Sequence, residues 1–177
     1  MSFIWRCSGA VALLLAAMIT LPCCTNDDSS SEGRMNDDQR RNAHREAIRS
    51  YFSRLEAFDI AGAVDLFAED GVQTMPYAPA DLLPPKLEGR AAISRQYSGM
   101  PTNFVYGRYP DLVIHDMVDP DRLFVTFRGD IELRAGGRYD NTYAGVFIFQ
   151  GEKIIEYIEY FDPIVFRNAF GPKGTAP

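Results

Sequence analysis

The chain has 177 residues, of which 46% are hydrophobic and 24% are charged. These proportions are typical of an ordinary globular protein, and the length suffices for one domain with a substantial core. The formal net charge of −6 argues against a surface that binds polyanions. We therefore expect no nucleic-acid partner.

Residues 1–24 have the composition of an export signal. Arg6 precedes an apolar run at residues 11–21, which is shorter than the ~20 residues that span a bilayer comfortably. Leu21 stands three residues before Cys24, a spacing that resembles the cleavage and lipidation site of bacterial lipoproteins. We expect an exported protein that a lipid on Cys24 anchors to a membrane, in the periplasm or at the outer surface. Cys23 is the alternative acceptor, and a plain secretory signal is the alternative to an anchor.

The segment after the signal predicts a disordered tether. Residues 25–41 are polar and charged and carry almost no apolar side chains, so they cannot bury enough surface to fold. All three cysteines, Cys7, Cys23 and Cys24, precede this tether, so the mature domain has no internal disulfide. The domain itself is expected over residues 42–171, followed by a short tail at residues 172–177.

Three helices are predicted at the start of the domain. From Ala43 onward, apolar residues recur at steps of three and four and form one stripe, which consists of Ile48, Tyr51, Phe52, Leu55 and Phe58. Asp59 is a candidate N-cap for a short second helix, and Gly89 precedes a third. His44, at the start of the first helix, is expected to be exposed.

The rest of the domain predicts a sheet. The predicted strands cover residues 72–77, 104–118, 123–133, 139–149 and 154–161. Three helices followed by antiparallel strands predict an α+β protein in which the helices cover the concave face of a cone-shaped, curved, mostly antiparallel sheet. A sheet of this shape encloses a pocket for small, mostly apolar molecules.

The last predicted strand carries two carboxylates on opposite faces. Because side chains alternate along a strand, Glu159 shares one face with Tyr157 and Phe161, whereas Glu156 lies on the other face. A carboxylate among aromatic groups incurs a desolvation cost unless it is paired or protonated, and such groups are candidates for catalysis. The alternative is an ion pair with an arginine on a neighbouring strand, such as Arg128.

The order of these elements resembles the SnoaL-like branch of the nuclear-transport-factor-2-like superfamily. The likeness covers residues 43–171 and includes the segments Leu87-Glu88-Gly89-Arg90 and Glu159-Tyr160-Phe161-Asp162-Pro163. Steroid isomerases, polyketide cyclases, limonene epoxide hydrolase and phenazine-biosynthesis A/B proteins share this fold, as do non-catalytic modules. The resemblance implies a cystatin-like roll, a homodimer that pairs through the outer face of the sheet, and a hydrophobic small-molecule ligand. It leaves open an enzyme of the isomerase, cyclase or hydrolase kind and a non-catalytic binding module.

The resemblance also implies roles for particular residues. It places Tyr51 at the tyrosine of the steroid isomerases, but Met75 at their catalytic base and Gly145 near their second acid, so that constellation is not intact. It directs Glu159 toward the ligand, which implies a general acid/base role for this residue. Tyr51 would hold a substrate oxygen, and a plain core tyrosine is the alternative.

Other residues complete the predicted ligand-binding set, which consists of Met75, Tyr143, Gly145, Tyr157, Phe161 and His115. His115 belongs to a strand whose orientation the pattern leaves open, and an ordinary strand position is its alternative. No spacing of His, Cys and Glu predicts a metal site, and no glycine-rich loop predicts a nucleotide site. We expect no cofactor.

Overall fold

The computed structural model describes residues 35–172 of the chain. The predicted signal with Cys23 and Cys24, the first part of the tether and the last residues of the tail lie outside the described residues. The helices are α1 (Asp37–Glu56), α2 (Ile60–Asp65), α3 (Arg90–Tyr97), α4 (Met100–Asn103) and α5 (Pro163–Phe170). The strands are β1 (Phe67–Thr74), β2 (Lys86–Glu88), β3 (Phe104–Arg108), β4 (Val113–Asp116), β5 (Arg122–Leu133), β6 (Arg138–Gln150) and β7 (Lys153–Phe161). None of the helices within residues 35–172 is long and apolar enough to cross a membrane.

Helix α1 begins at Asp37, earlier than the predicted start at Ala43. The Asn36 side chain accepts a hydrogen bond from the Gln39 backbone N–H at 2.9 Å, and the Gln39 side chain accepts one from the Asn36 N–H at 2.9 Å. This capping box stabilises a polar first turn that carries no apolar stripe. Residues 37–41, which the polarity pattern assigned to the tether, are therefore helical.

The seven strands form one curled, mixed sheet against which the helices pack. The strand order is β2-β1-β7-β6-β5-β3, and β4 also pairs with β5. Strand β7 is central, antiparallel to β6 and parallel to β1, and the other pairings are antiparallel. This arrangement confirms the predicted α+β class. The three helices predicted at the start of the domain correspond to α1, α2 and α3, and the described residues also form the short α4 and the C-terminal α5.

The single strand predicted over residues 104–118 is wrong, because two strands occupy that segment. Between β3 and β4 the chain contains Pro110, which has no N–H to donate, and Asp111, whose φ of 60° is left-handed. The interruption lets β3 pair with the C-terminal half of β5 while β4 pairs with its N-terminal half. Strand β5 thus pairs with both β3 and β4 along the same edge.

The core between α1 and the sheet is rich in aromatic rings. Tyr51, Phe67, Phe147 and Tyr157 are almost completely buried. The ring of Tyr51 contacts the other three at centroid distances of 5.5 to 6.0 Å in edge-to-face geometry, and Phe147 stacks on Tyr157 at 4.0 Å. Aromatic pairs of these geometries add to the stabilisation from burial alone.

His44 is buried, which corrects the expectation that it is exposed. It lies one helical turn before Ile48 on the buried face of α1, and its ring stacks on Phe149 at a centroid distance of 4.1 Å. Its Nδ1 lies 3.1 Å from the Pro120 carbonyl oxygen and its Nε2 lies 2.9 Å from the Gly151 carbonyl oxygen. The imidazole therefore ties α1 to the turns that precede β5 and follow β6.

Candidate functional site

A cavity of ≈ 340 Å³ lies between the helices and the sheet. Residues of α1, α3 and α5 and of strands β1, β5, β6 and β7 contribute to its walls, which are chiefly aromatic and aliphatic. Glu159 is the one carboxylic acid among the lining residues, and no Lys, Arg or His of the described chain lines the cavity. A mostly apolar cavity with a few converging polar groups is the usual form of a small-molecule site.

Five of the predicted site residues line this cavity, namely Glu159, Tyr51, Met75, Tyr143 and Phe161. Three others, Gly145, Tyr157 and His115, do not. The structure thus brings the predicted acid and the predicted tyrosine to one cavity.

Tyr157 lies behind the cavity wall rather than in it. Strand alternation correctly places it on the same face as Glu159 and Phe161, but the rings of Tyr51 and Phe147 cover it. Its buried hydroxyl group makes no hydrogen bond of ordinary geometry to the described residues, but it lies close enough to the Glu159 carboxyl group to affect the pKa of that group. The pattern of a strand assigns a face to each side chain, and the depth on that face depends on what packs above it.

Gly145 makes room for Tyr157 and does not contact the cavity. It is the cross-strand partner of Glu159 in the pairing of β6 with β7. A Cβ atom at this position would lie 2.7 Å from Tyr157 Cε2 and 2.9 Å from the Ile158 carbonyl oxygen. Only glycine allows the Tyr157 ring to approach β6 this closely.

His115 is exposed on β4, away from the cavity. It pairs across the strands with Phe124, and the two ring centroids are 5.8 Å apart. Phe124 lies on the face of β5 that points away from the buried positions on either side of it. The structure therefore separates His115 from this cavity and places it at an exposed strand position.

The Glu159 carboxyl group is partly buried and has no cationic partner. Burial raises its pKa from the usual 4.5 to about 7, while the nearby Tyr157 hydroxyl group acts in the opposite direction. None of the ion pairs formed by residues 35–172 includes it. Arg128 is exposed and lies 3.9 Å from Asp111, so it does not neutralise Glu159.

One hydrogen-bonded chain along the cavity wall joins α1, α3 and β1. The Tyr97 hydroxyl group donates to Gln73 Oε1 at 2.8 Å, and the hydroxyl oxygens of Tyr51 and Tyr97 are 2.5 Å apart. Sequence reasoning did not identify Tyr97 or Gln73 as site residues. The apolar face of α3 contains Tyr97, but no local pattern indicates that its hydroxyl group meets β1.

A second chain follows β6. The Tyr143 hydroxyl group donates to the Tyr139 hydroxyl oxygen at 2.8 Å, and Asn141 Nδ2 donates to the same oxygen at 3.0 Å. Burial raises the pKa of Tyr139 to about 12, although these two hydrogen bonds lower it. Burial, and after it the charge of Glu159, also raises the pKa values of Tyr97 and Tyr109. The hydroxyl groups around the cavity are therefore neutral near pH 7 and can donate protons in hydrogen bonds.

The residues within 35–172 contain no group of three or more His, Cys, Asp or Glu side chains that could hold a metal ion. The chemistry that the cavity offers is that of one carboxyl group with a pKa near neutrality, surrounded by neutral hydroxyl groups and apolar rings.

The chain is similar to known proteins in sequence and in fold. The sequence profile of the SnoaL-like domain matches residues 48–157. The uncharacterized PhzA/B-like protein PA3332 of Pseudomonas aeruginosa is 30% identical over 118 residues, which cover 66% of this chain and 82% of that protein.

Solved structures share the fold at lower sequence identity. A phenazine biosynthesis-related protein from Pseudomonas aeruginosa superposes with a TM-score of 0.64 at 17% identity, covering 80% of this chain and 97% of its own. TerC, co-crystallized with polyporic acid, superposes with a TM-score of 0.60 at 19% identity, covering 71% of this chain and 96% of its own. At this identity the likeness concerns the fold.

Proposed function

This chain belongs to the SnoaL-like family, and from that membership we propose that it is an enzyme that transfers protons on a hydrophobic small molecule, with Glu159 as the general acid and base. The reaction would be of the isomerase, cyclase or hydrolase kind. The observation that carries this proposal is the presence of one carboxyl group, without a cationic partner, in the wall of an aromatic cavity.

The position of Glu159 suits proton transfer for a physical reason. A general base works best when its pKa lies near the working pH, because both protonation states are then populated. A pKa of about 7 meets this condition. In the carboxylate form Glu159 can take a proton from a carbon atom next to a carbonyl group, and in the carboxyl form it can return that proton to another atom of the same molecule.

Met75 distinguishes the proposed site from that of the steroid isomerases. The resemblance places Met75 at the base position, and the structure places it in the cavity wall, where a thioether cannot take a proton. Glu159 would therefore supply the base from β7. The same observation favours a second candidate, a non-catalytic module that binds a hydrophobic ligand in this cavity.

Hydrogen exchange on a bicyclic ketone distinguishes the two candidates. We expect the full-length protein to accelerate deuterium incorporation next to the carbonyl group of 2-tetralone, followed by NMR in heavy water. Glu159→Gln should lower the protein-dependent rate by about 100-fold or more, because general bases contribute ~10²–10⁴-fold. Glu156→Gln is the matched control, since Glu156 lies on the opposite face of the same strand and accepts a hydrogen bond from Thr74.

Equal rates in Glu159→Gln and the unaltered protein would refute Glu159 as the base. Binding of 2-tetralone without any acceleration of exchange would contradict catalysis on this class of ketone and support the binding module.

A further inference from the structure

The directions of the hydrogen bonds around the cavity distinguish its tyrosines from one another. A tyrosine hydroxyl group has one proton to donate and can accept additional hydrogen bonds through its lone pairs. A tyrosine whose proton already serves a protein acceptor cannot donate to a ligand unless that bond breaks. A tyrosine that only accepts has a free proton.

The orientation of the Asn141 amide fixes the direction of one bond to Tyr139. Asn141 Oδ1 accepts from the backbone N–H of Thr142 at 2.8 Å and from that of Asp162 at 3.1 Å. Its Nδ2 must therefore be the atom that faces the Asp162 carbonyl oxygen and the Tyr139 hydroxyl oxygen, each at 3.0 Å. Asn141 thus donates to Tyr139.

Tyr139 also accepts from Tyr143, at 2.8 Å. Its hydroxyl oxygen then receives two hydrogen bonds, and its own proton has no acceptor among the described residues. Tyr139 and Tyr143 both line the cavity. The free proton therefore belongs to a group in the wall of the proposed ligand site.

Tyr51 is in the opposite situation. The proton of Tyr97 serves Gln73 Oε1, so the short contact between Tyr51 and Tyr97 must use the proton of Tyr51. The tyrosine that the family resemblance assigns to a substrate oxygen is therefore engaged in a buried bond of the protein itself.

We propose that Tyr139, rather than Tyr51, donates the hydrogen bond that holds an acceptor oxygen of the ligand, namely the oxygen of a ketone or of the enolate formed from it. This assignment rests on the proposed ligand-binding function of the cavity. Asn141 positions the donor, and Asp162 holds Asn141 through its backbone. The ligand class is a hydrophobic carbonyl compound whose oxygen points to β6 while its reactive carbon atom faces Glu159.

The test compares two ligands that differ in one carbonyl group. We expect the full-length protein to bind 2-tetralone about tenfold more tightly than tetralin, the ratio expected for one additional hydrogen bond, measured by calorimetry. Tyr139→Phe should remove this preference. Tyr51→Phe should keep it, although the absolute affinities can change. Equal affinity of the unaltered protein for both ligands, or loss of the preference in Tyr51→Phe alone, would overturn the proposal.

The infrared carbonyl stretch of bound 2-tetralone provides a second readout. A hydrogen bond from Tyr139 lowers this frequency relative to an apolar solvent, and Tyr139→Phe should restore it. Because Tyr139→Phe also removes the acceptor for two groups and can impair folding, Tyr143→Phe is the second variant. It leaves the proton of Tyr139 in place, so the lowered frequency should persist, and its loss would show that Tyr143 is the donor.

The two proposals fail in different ways. Glu159→Gln should lower the rate of exchange by about 100-fold or more while the preference for 2-tetralone over tetralin remains. In the unaltered protein, absence of exchange with an intact preference would refute catalysis alone, whereas normal exchange with equal binding of both ligands would refute the role of Tyr139 alone.

Discussion

At the scale of single residues, Glu159 couples folding to pH. Its pKa is raised from the usual 4.5 to about 7 because burial disfavours the charged form. Between these two values the folded protein binds more protons than the unfolded chain, so the free energy of unfolding falls as pH rises. The contribution of protonated Glu159 to stability is fully present below pH 4.5 and is lost as pH rises through about 7. From the difference between the two pKa values, ionisation of Glu159 lowers the free energy of unfolding by up to about 3 kcal/mol above pH 7.

We therefore predict that Glu159→Gln raises the free energy of unfolding at pH 8 by up to about 3 kcal/mol and has little effect near pH 4. Glutamine keeps the shape of the side chain but does not ionise. Urea denaturation of both proteins at the two pH values measures the change, with Glu156→Gln as the control. A gain in stability that is the same at both pH values would contradict the coupling.

At the scale of elements, the contact between β6 and β7 depends on the absence of a side chain at Gly145. The Tyr157 ring fills the space that a Cβ atom would occupy, and it in turn supports Tyr51 and Phe147. An alanine here would displace the ring or separate the strands. Overpacking of a buried site of this kind typically costs about 1–3 kcal/mol.

We predict that Gly145→Ala lowers the free energy of unfolding by about 1–3 kcal/mol. Gly107→Ala is the matched control on β3, because its Cβ would lie 3.7 Å from Ile131 Cγ1, an ordinary contact. Alanine loses less backbone entropy on folding than glycine, so this control should be neutral or slightly stabilising. Equal effects of the two variants in urea denaturation would refute the close packing at Gly145.

At the scale of the whole molecule, the outer face of the sheet carries an apolar row across three strands. Phe124, Val146 and Ile158 are directly opposite one another on β5, β6 and β7, and each is partly exposed. Because the family resemblance implies pairing through this face, we propose a homodimer that buries the row.

Sedimentation at micromolar concentration should therefore show a dimer, and Val146→Glu should shift it to monomer because a charge would be buried in the interface. Thr142→Glu is the control, since Thr142 lies exposed on the same face of β6, outside the row. A monomer in the unaltered protein would remove this proposal.

Export is the second proposal at this scale. We propose that residues 1–24 direct the chain across a membrane and that a lipid on Cys24 then anchors it. Mass spectrometry of the membrane fraction should show acyl chains on Cys24, or on Cys23 as the alternative, and Cys24→Ser should release the protein. An unmodified soluble product would refute the anchor.

The sequence alone sufficed for features that depend on neighbours along the chain. The stripe of α1 as far as Leu55 and the Asp59 cap of α2 follow from periodicity and capping, and the structure contains both. Phe58, which the periodicity adds to the stripe, lies beyond the end of α1 with a left-handed φ of 56°. Strand alternation likewise places Glu159 and Phe161 on one face of β7, and the family resemblance directs that face toward a ligand. The order of helices and strands predicts a curved sheet that encloses a pocket, but it does not define which side chains line that pocket.

Tertiary structure decided the features that depend on distant partners. Tyr157 and Glu159 share a face, yet only Glu159 reaches the cavity, because α1 covers one and not the other. The burial of His44, the parallel pairing of β1 with β7 and the free proton of Tyr139 all arise from contacts between residues far apart in sequence. A pattern of residue types specifies which groups can donate or accept, whereas the three-dimensional partners determine which proton is left for a ligand.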